Sequence, residues 1–135
     1  MALGRLLVEE ADIQILAAEK QDEIRPTLKR ARETLSQAVI LDPKLATAFY
    51  YLGVVDFRTS SFAGAEGELK HALSLDPTLA PAKITLINVY VLQKNWQNAL
   101  ENLDAFLLEN PTSPYRQQVT ATRLSVARRL QAQEQ

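Results

Sequence analysis

Three prolines divide this chain at equal intervals: Pro43, Pro77 and Pro111, in Leu41-Asp42-Pro43, Leu75-Asp76-Pro77 and Glu109-Asn110-Pro111. A fixed period of roughly 20–50 residues marks stacked units, none of which can bury its apolar face alone. Such arrays are extended surfaces without an enclosed pocket, which suits them to holding another polypeptide. The interval therefore constrains fold and function together.

Superposing residues 12–45, 46–79 and 80–113 shows what the period preserves. Ala31, Ala65 and Ala99 fall in one column, and Leu35, Leu69 and Leu103 in the next. Ala38, Ala72 and Phe106 follow, then Val39, Leu73 and Leu107, with Leu28, Phe62 and Trp96 one turn ahead. These steps trace one face of a helix. A second apolar stripe precedes each of the last two: Phe49, Leu52, Gly53 and Phe57, then Leu86, Ile87, Tyr90 and Val91. Short polar breaks separate the stripes at Arg25-Pro26-Thr27, Thr59-Ser60-Ser61 and Lys94-Asn95. Breaks that short predict antiparallel helix pairs. The prolines at 43, 77 and 111 stop each second helix, because the residue before a proline disfavours helical backbone. Pro81 and Pro114 fit first-turn positions of the following helices, and Ser113 an N-cap.

Phe49-Tyr50-Tyr51-Leu52-Gly53, Phe62, Ala65, Leu69, Ala72-Leu73 and Leu75-Asp76-Pro77 together resemble the tetratricopeptide repeat. Leu86, Tyr90, Trp96, Ala99, Leu103, Leu107 and Pro111 carry the same pattern in the third unit. The first unit follows it only in its second helix, through Ala31, Leu35, Ala38, Leu41 and Pro43. The resemblance implies an all-α, right-handed superhelical solenoid of three helix pairs plus a C-terminal capping helix. The expected boundaries are repeats 12–45, 46–79 and 80–113 in a single domain of residues 1–135, an N-terminal helix extension over 2–11, and a capping helix over 114–131. Some positions depart from the pattern. Glu19 and Ile87 replace the small residue that Gly53 supplies, and Asp56 stands where an aromatic is usual, with Phe57 beside it. Gly64 and Gly67 should each weaken their helix by about 1 kcal/mol relative to alanine, and read as drift on an exposed face.

Composition narrows the function classes. Fifteen Lys and Arg face 16 Asp and Glu, a net charge of -1, which predicts no general pull toward nucleic acid or anionic membrane. The chain has no cysteine, which removes disulfides, thiolate metal sites and cysteine nucleophiles. No apolar run reaches the roughly 18 residues of a membrane span. Glu9 and Glu10 interrupt the apolar start, so it reads as an amphipathic helix and not as a secretory leader. A soluble chain, of cytoplasm or periplasm alike, is expected. The single histidine, His71, has no second metal-ligating residue near it in sequence and reads as surface. The four glycines form no phosphate-binding loop, and acid clusters such as Glu9-Glu10-Asp12 read as helix surface. No catalytic residue, cofactor or metal is expected. Arg116, Arg123, Arg128 and Arg129 on the last helix read as a solvated face, with a phosphate or acidic-peptide patch as the alternative.

The resemblance further implies a concave groove lined by the first helix of each pair. Its positions here are Leu16, Lys20 and Ile24; Thr47, Tyr50, Tyr51, Val54 and Arg58; and Pro81, Ile84, Thr85, Asn88 and Leu92. The family's carboxylate clamp for chaperone tails would fall on Leu16, Lys20, Tyr51, Pro81 and Thr85, among which only Lys20 is basic. A C-terminal chaperone tail is therefore not the expected partner. An apolar groove with two tyrosines suits an amphipathic helix or extended apolar segment of another protein. The alternative is a structural or self-associating domain of a larger protein, its groove filled intramolecularly or by another copy.

Overall fold

The structure, a computed structural model, describes residues 10–134, with side chains from residue 25 onward. Six helices follow one another: α1 (Glu10–Leu41), α2 (Ala46–Arg58), α3 (Phe62–Leu75), α4 (Ala80–Leu92), α5 (Trp96–Glu109) and α6 (Arg116–Gln133). Among the described residues there is no strand. Each helix packs on the next, and α2 also touches α4 directly. The result is an all-α solenoid-like array.

The periodic prolines sit in one turn made three times. Leu45 N–H donates to the Asp42 carbonyl, Leu79 N–H to Asp76, and Ser113 N–H to Asn110, each at 3.2 Å. Proline takes the second position of each turn, where its fixed φ is already correct, and Asp or Asn takes the first. The Asp42 and Asp76 side chains also accept from the Lys44 and Thr78 N–H groups at 3.1 and 3.0 Å. After the third turn α6 begins only at Arg116, so Pro114 precedes it. Ser113 Oγ accepts from the Tyr115 N–H at 3.1 Å and shapes the approach, while Tyr115 holds the N-cap position.

A different device closes the two complete helix pairs. At the end of α2, Ser61 N–H reaches back to the Asp56 carbonyl at 2.8 Å and Ser60 N–H to Phe57 at 3.1 Å. At the end of α4, Asn95 N–H reaches Tyr90 at 2.9 Å and Lys94 N–H reaches Val91 at 3.0 Å. These are nested six-to-one and five-to-two bonds, and they require one residue in the left-handed region. Ser60 has φ 61° and Lys94 has φ 57°.

The equivalent residue of the first unit is Pro26, and there the expected break is absent. The backbone continues through residues 25–27 as part of the 32-residue α1, with Pro26 inside it. Proline locks φ near −65° and lacks an N–H, so it can neither enter the left-handed region nor donate the inner bond. The first of the three expected helix pairs is thereby replaced by a single helix. Residues 2–9 of the expected N-terminal extension lie outside the described residues.

The apolar columns behave accordingly. Ala65, Leu69 and Ala72 on α3 and Ala99, Leu103 and Phe106 on α5 are buried, whereas Ala31, Leu35 and Ala38 on α1 are only half-buried. Helices from successive units meet at a repeated polar contact. The Arg32 guanidinium pairs with the buried carboxylate of Asp56, and 34 residues on, Tyr90 donates from its hydroxyl to Glu66 Oε2 at 2.9 Å. Asp56 thus replaces the usual aromatic because Arg32 meets it. Lys83 to Glu109, at 2.8 Å, joins α4 to α5, and Arg123 to Asp104 joins α5 to α6. The Arg129 guanidinium lies 5.1 Å from the Trp96 ring centroid, adding a cation–π contact.

The glycines separate into two kinds. A methyl group at Gly53 would stand 2.7 Å from Leu69 Cγ, so α2 and α3 approach as closely as they do because it is absent. One at Gly64 would stand 2.9 Å from Asp56 Oδ2. Gly64 thus makes room for the buried carboxylate and is not drift. At Gly67 nothing lies within 4 Å, which agrees with the drift reading. Gly67→Ala should raise stability by about 1 kcal/mol through helix propensity. Gly53→Ala should lower it by about 1–3 kcal/mol through overpacking. Urea unfolding midpoints of the two variants test both signs.

The Glu66 contact also sets a pH dependence. A hydrogen bond from Lys70 holds the Glu66 carboxyl below its ordinary value, Tyr90 assists, and partial burial opposes them. A depressed native pKa contributes stability that is complete above the ordinary carboxylate range, about pH 4, and is lost as pH falls through the native value. Tyr90→Phe should therefore cost about 1 kcal/mol at neutral pH and less in acid. An equal cost at both pH values, measured by thermal unfolding, would sever Glu66 from the effect.

Candidate peptide-binding face

The direct contact of α2 with α4 brings the central residues of the expected groove together. On α2, Thr47, Tyr51 and Arg58 are exposed, while Tyr50 and Val54 are half-buried. Tyr51 is 53% exposed although large and aromatic, and its ring centroid lies 4.9 Å from that of Tyr50 at a 54° tilt. On α4, Ile84, Thr85 and Asn88 are buried and form a floor, with Pro81 exposed at the start of the helix. Leu16 and Lys20 fall within α1, and their side chains lie outside the described residues.

Physical chemistry ties the two helices across this face. The Thr85 hydroxyl donates to the Pro81 carbonyl at 2.8 Å, which leaves its oxygen lone pairs to accept from Tyr50. Burial raises the Tyr50 pKa above its ordinary value, and the Thr85 hydrogen bond works against that rise. Tyr50 also packs on the core cluster, so it is partly a structural residue. One turn beyond Thr85 stands an anomaly. Asn88 is 1% exposed, and neither its Oδ1 nor its Nδ2 has a hydrogen-bond partner. An unpaired buried carboxamide is costly, and the price in stability calls for a reason.

With this geometry established, the comparisons with known proteins take on meaning. No protein-family model matches the chain. Over 73 residues, 54% of its length, the chain is 29% identical to tetratricopeptide repeat protein 21A of Mus musculus. The chain spans only 6% of that protein. The relative is named for the same repeat that residues 46–79 and 80–113 resemble.

Two features away from this face were not evident in the sequence. One is the Arg32–Asp56 pair, whose signal was an acid in an aromatic column with a base 24 residues before it, the same spacing as Glu66 and Tyr90. The other is a shallow hollow of about 680 Å³ on the flank of α6, lined in part by Pro114, Gln117, Thr120, Ala121 and Leu124. His71 is exposed and stands edge-on to Phe49, with ring centroids 4.2 Å apart. Among the described residues no three His, Cys, Asp or Glu side chains gather where a metal could sit, and no helix is long and apolar enough to cross a membrane.

Asn88 provides a test of this face that is independent of any ligand. Asn88→Leu should stabilise the fold by about 1–3 kcal/mol, the usual cost of an unsatisfied buried polar group. A destabilised Asn88→Leu variant in denaturant titrations would show that the carboxamide is already satisfied.

Proposed function

We propose that this chain is a non-catalytic protein-interaction module that holds an apolar or amphipathic peptide segment of another protein against the α2–α4 face. The observation that carries the reading is Tyr51, an exposed aromatic stacked beside half-buried Tyr50 on the helix that touches α4. Thr47 and Arg58 flank it as polar edges, and Val54 supplies apolar area between them. Aromatic rings give large contact area at low entropic cost, and hydroxyls set orientation. The similarity to a mouse tetratricopeptide repeat protein supports a role in protein contact. The same reading takes residues 12–45, 46–79 and 80–113 as three repeats of one domain, the first altered by Pro26. Leu16 and Lys20 would extend the face from α1, and Ile84, Thr85 and Asn88 underlie it. Asn88 would then remain because a bound backbone or side chain, reached after a small opening, satisfies its carboxamide.

The experiment uses an exposed position, since a charge at buried Ile84 would report on folding and not on binding. A partner captured by the wild-type chain is reduced to its binding segment, and that peptide is titrated calorimetrically into wild type, Tyr51→Glu and Asn88→Leu. One-to-one binding that weakens at least tenfold in Tyr51→Glu, with helicity unchanged, is the expected outcome. Equal affinity in all three proteins would remove the α2–α4 face from the interaction.

A further inference from the structure

Two helix faces of this molecule lack the neighbour that their counterparts have, and the two are complementary. The first belongs to α1. Ala65 and Leu69 of α3 are the residues that meet Gly53 of their own pair, and both are 0% exposed. Their register equivalents on α1, Ala31 and Leu35, are half-buried, because Pro26 keeps residues 10–24 in line with the rest of the helix instead of folding them back. Residues 28–41 are therefore a second helix without a first.

The second face belongs to α6. It lies against α5 through Val119 and Val126, both buried. On its neighbouring flank Gln117, Thr120, Ala121 and Leu124 are exposed, Leu124 by 52%. Thr120, Ala121 and Leu124 stand 34 residues after Leu86, Ile87 and Tyr90, all buried in α4. The hollow of about 680 Å³ is on this flank. Among the described residues α6 is thus a first helix without a second.

We infer that a second copy of this chain fills each vacancy: residues 28–41 of one copy seat in the α6 flank of the next, completing a helix pair between molecules. Charge favours the match. The α6 helix carries Arg116, Arg123, Arg128 and Arg129 and no acid. Residues 10–24 of α1 carry Glu10, Asp12, Glu19, Asp22 and Glu23 against Lys20 alone. In an antiparallel pairing of the kind made by α2 with α3, the acidic half of α1 continues past the C-terminal end of α6, where Arg128 and Arg129 stand. The joined surfaces differ, so the contact is head-to-tail and leaves each complex with one free end of each kind. This surface is separate from the α2–α4 face and does not depend on the peptide-binding reading.

Sedimentation equilibrium of the full chain tests this directly. The wild type should show a weight-average mass that climbs with concentration from 15.1 kDa past that of two chains. Leu124→Glu, altered on an exposed position, should stay monomeric with unchanged helicity, as should Ala31→Glu. An equimolar mixture of the two should reach the mass of two chains and stop, since each supplies the end the other lacks. Because the natural chain has no cysteine, a second readout is independent of the stability of Ala31→Glu. Leu35→Cys and Leu124→Cys copies treated with a short bismaleimide should give a mixed product well above either self-product. A monomeric wild type at all concentrations overturns the proposal and leaves both faces to a different chain or a flanking segment. So does a dimer that both glutamate variants leave intact, or a cross-linked product no richer in the mixture than in either variant alone.

Discussion

The sign of one backbone angle at three equivalent positions governs the architecture. A helix can reverse into an antiparallel partner across two or three residues only if one of them accepts the left-handed region, so that the last carbonyls of the helix are satisfied from beyond its end. Ser60 and Lys94 accept it without being glycine, at φ 61° and 57°. Pro26 cannot. The burial of Ala65 and Ala99, the half-burial of Ala31 and the length of α1 all descend from that difference. Turn chemistry here outweighs propensity, since proline inside a helix costs about 3 kcal/mol relative to alanine and the chain still runs through it.

Much of this architecture was legible before any coordinates. The columns through Ala65, Leu69 and Ala72, and through Ala99, Leu103 and Phe106, are the core, and the breaks at residues 59–61 and 94–95 are turns. What misled was the assumption that a proline between two apolar stripes marks a reversal. Proline permits several backbones, and only its comparison with the left-handed Ser60 and Lys94 shows that a reversal of the same kind is forbidden. Gly64 was similarly opaque. Its reason is a carboxylate eight residues away in sequence but across a helix pair, and nothing in local composition announces that.

The candidate face was legible in part, for a reason that lies in packing. Thr47, Tyr51 and Arg58 emerge as surface residues, but Ile84, Thr85 and Asn88 are buried. Helix periodicity says which residues share a face; it does not say how closely the next helix leans over it. α4 packs against α2, α3 and α5 at once, so nearly all of its circumference is covered. A polar residue in that setting, such as Asn88, looks ordinary in sequence and becomes informative only when its empty hydrogen-bonding capacity is seen.

The contact between Arg129 and Trp96 gives the molecule an optical property. Trp96 is the sole tryptophan, it is 8% exposed at the first residue of α5, and a guanidinium from the last turns of α6 lies over its ring. In a linear array the terminal elements open at lower free energy than the middle, because they have neighbours on one side only. Departure of α6 would strip the indole of its cation and admit water to it. Indole emission therefore reports how firmly one end of the stack is held, while far-ultraviolet ellipticity reports the whole.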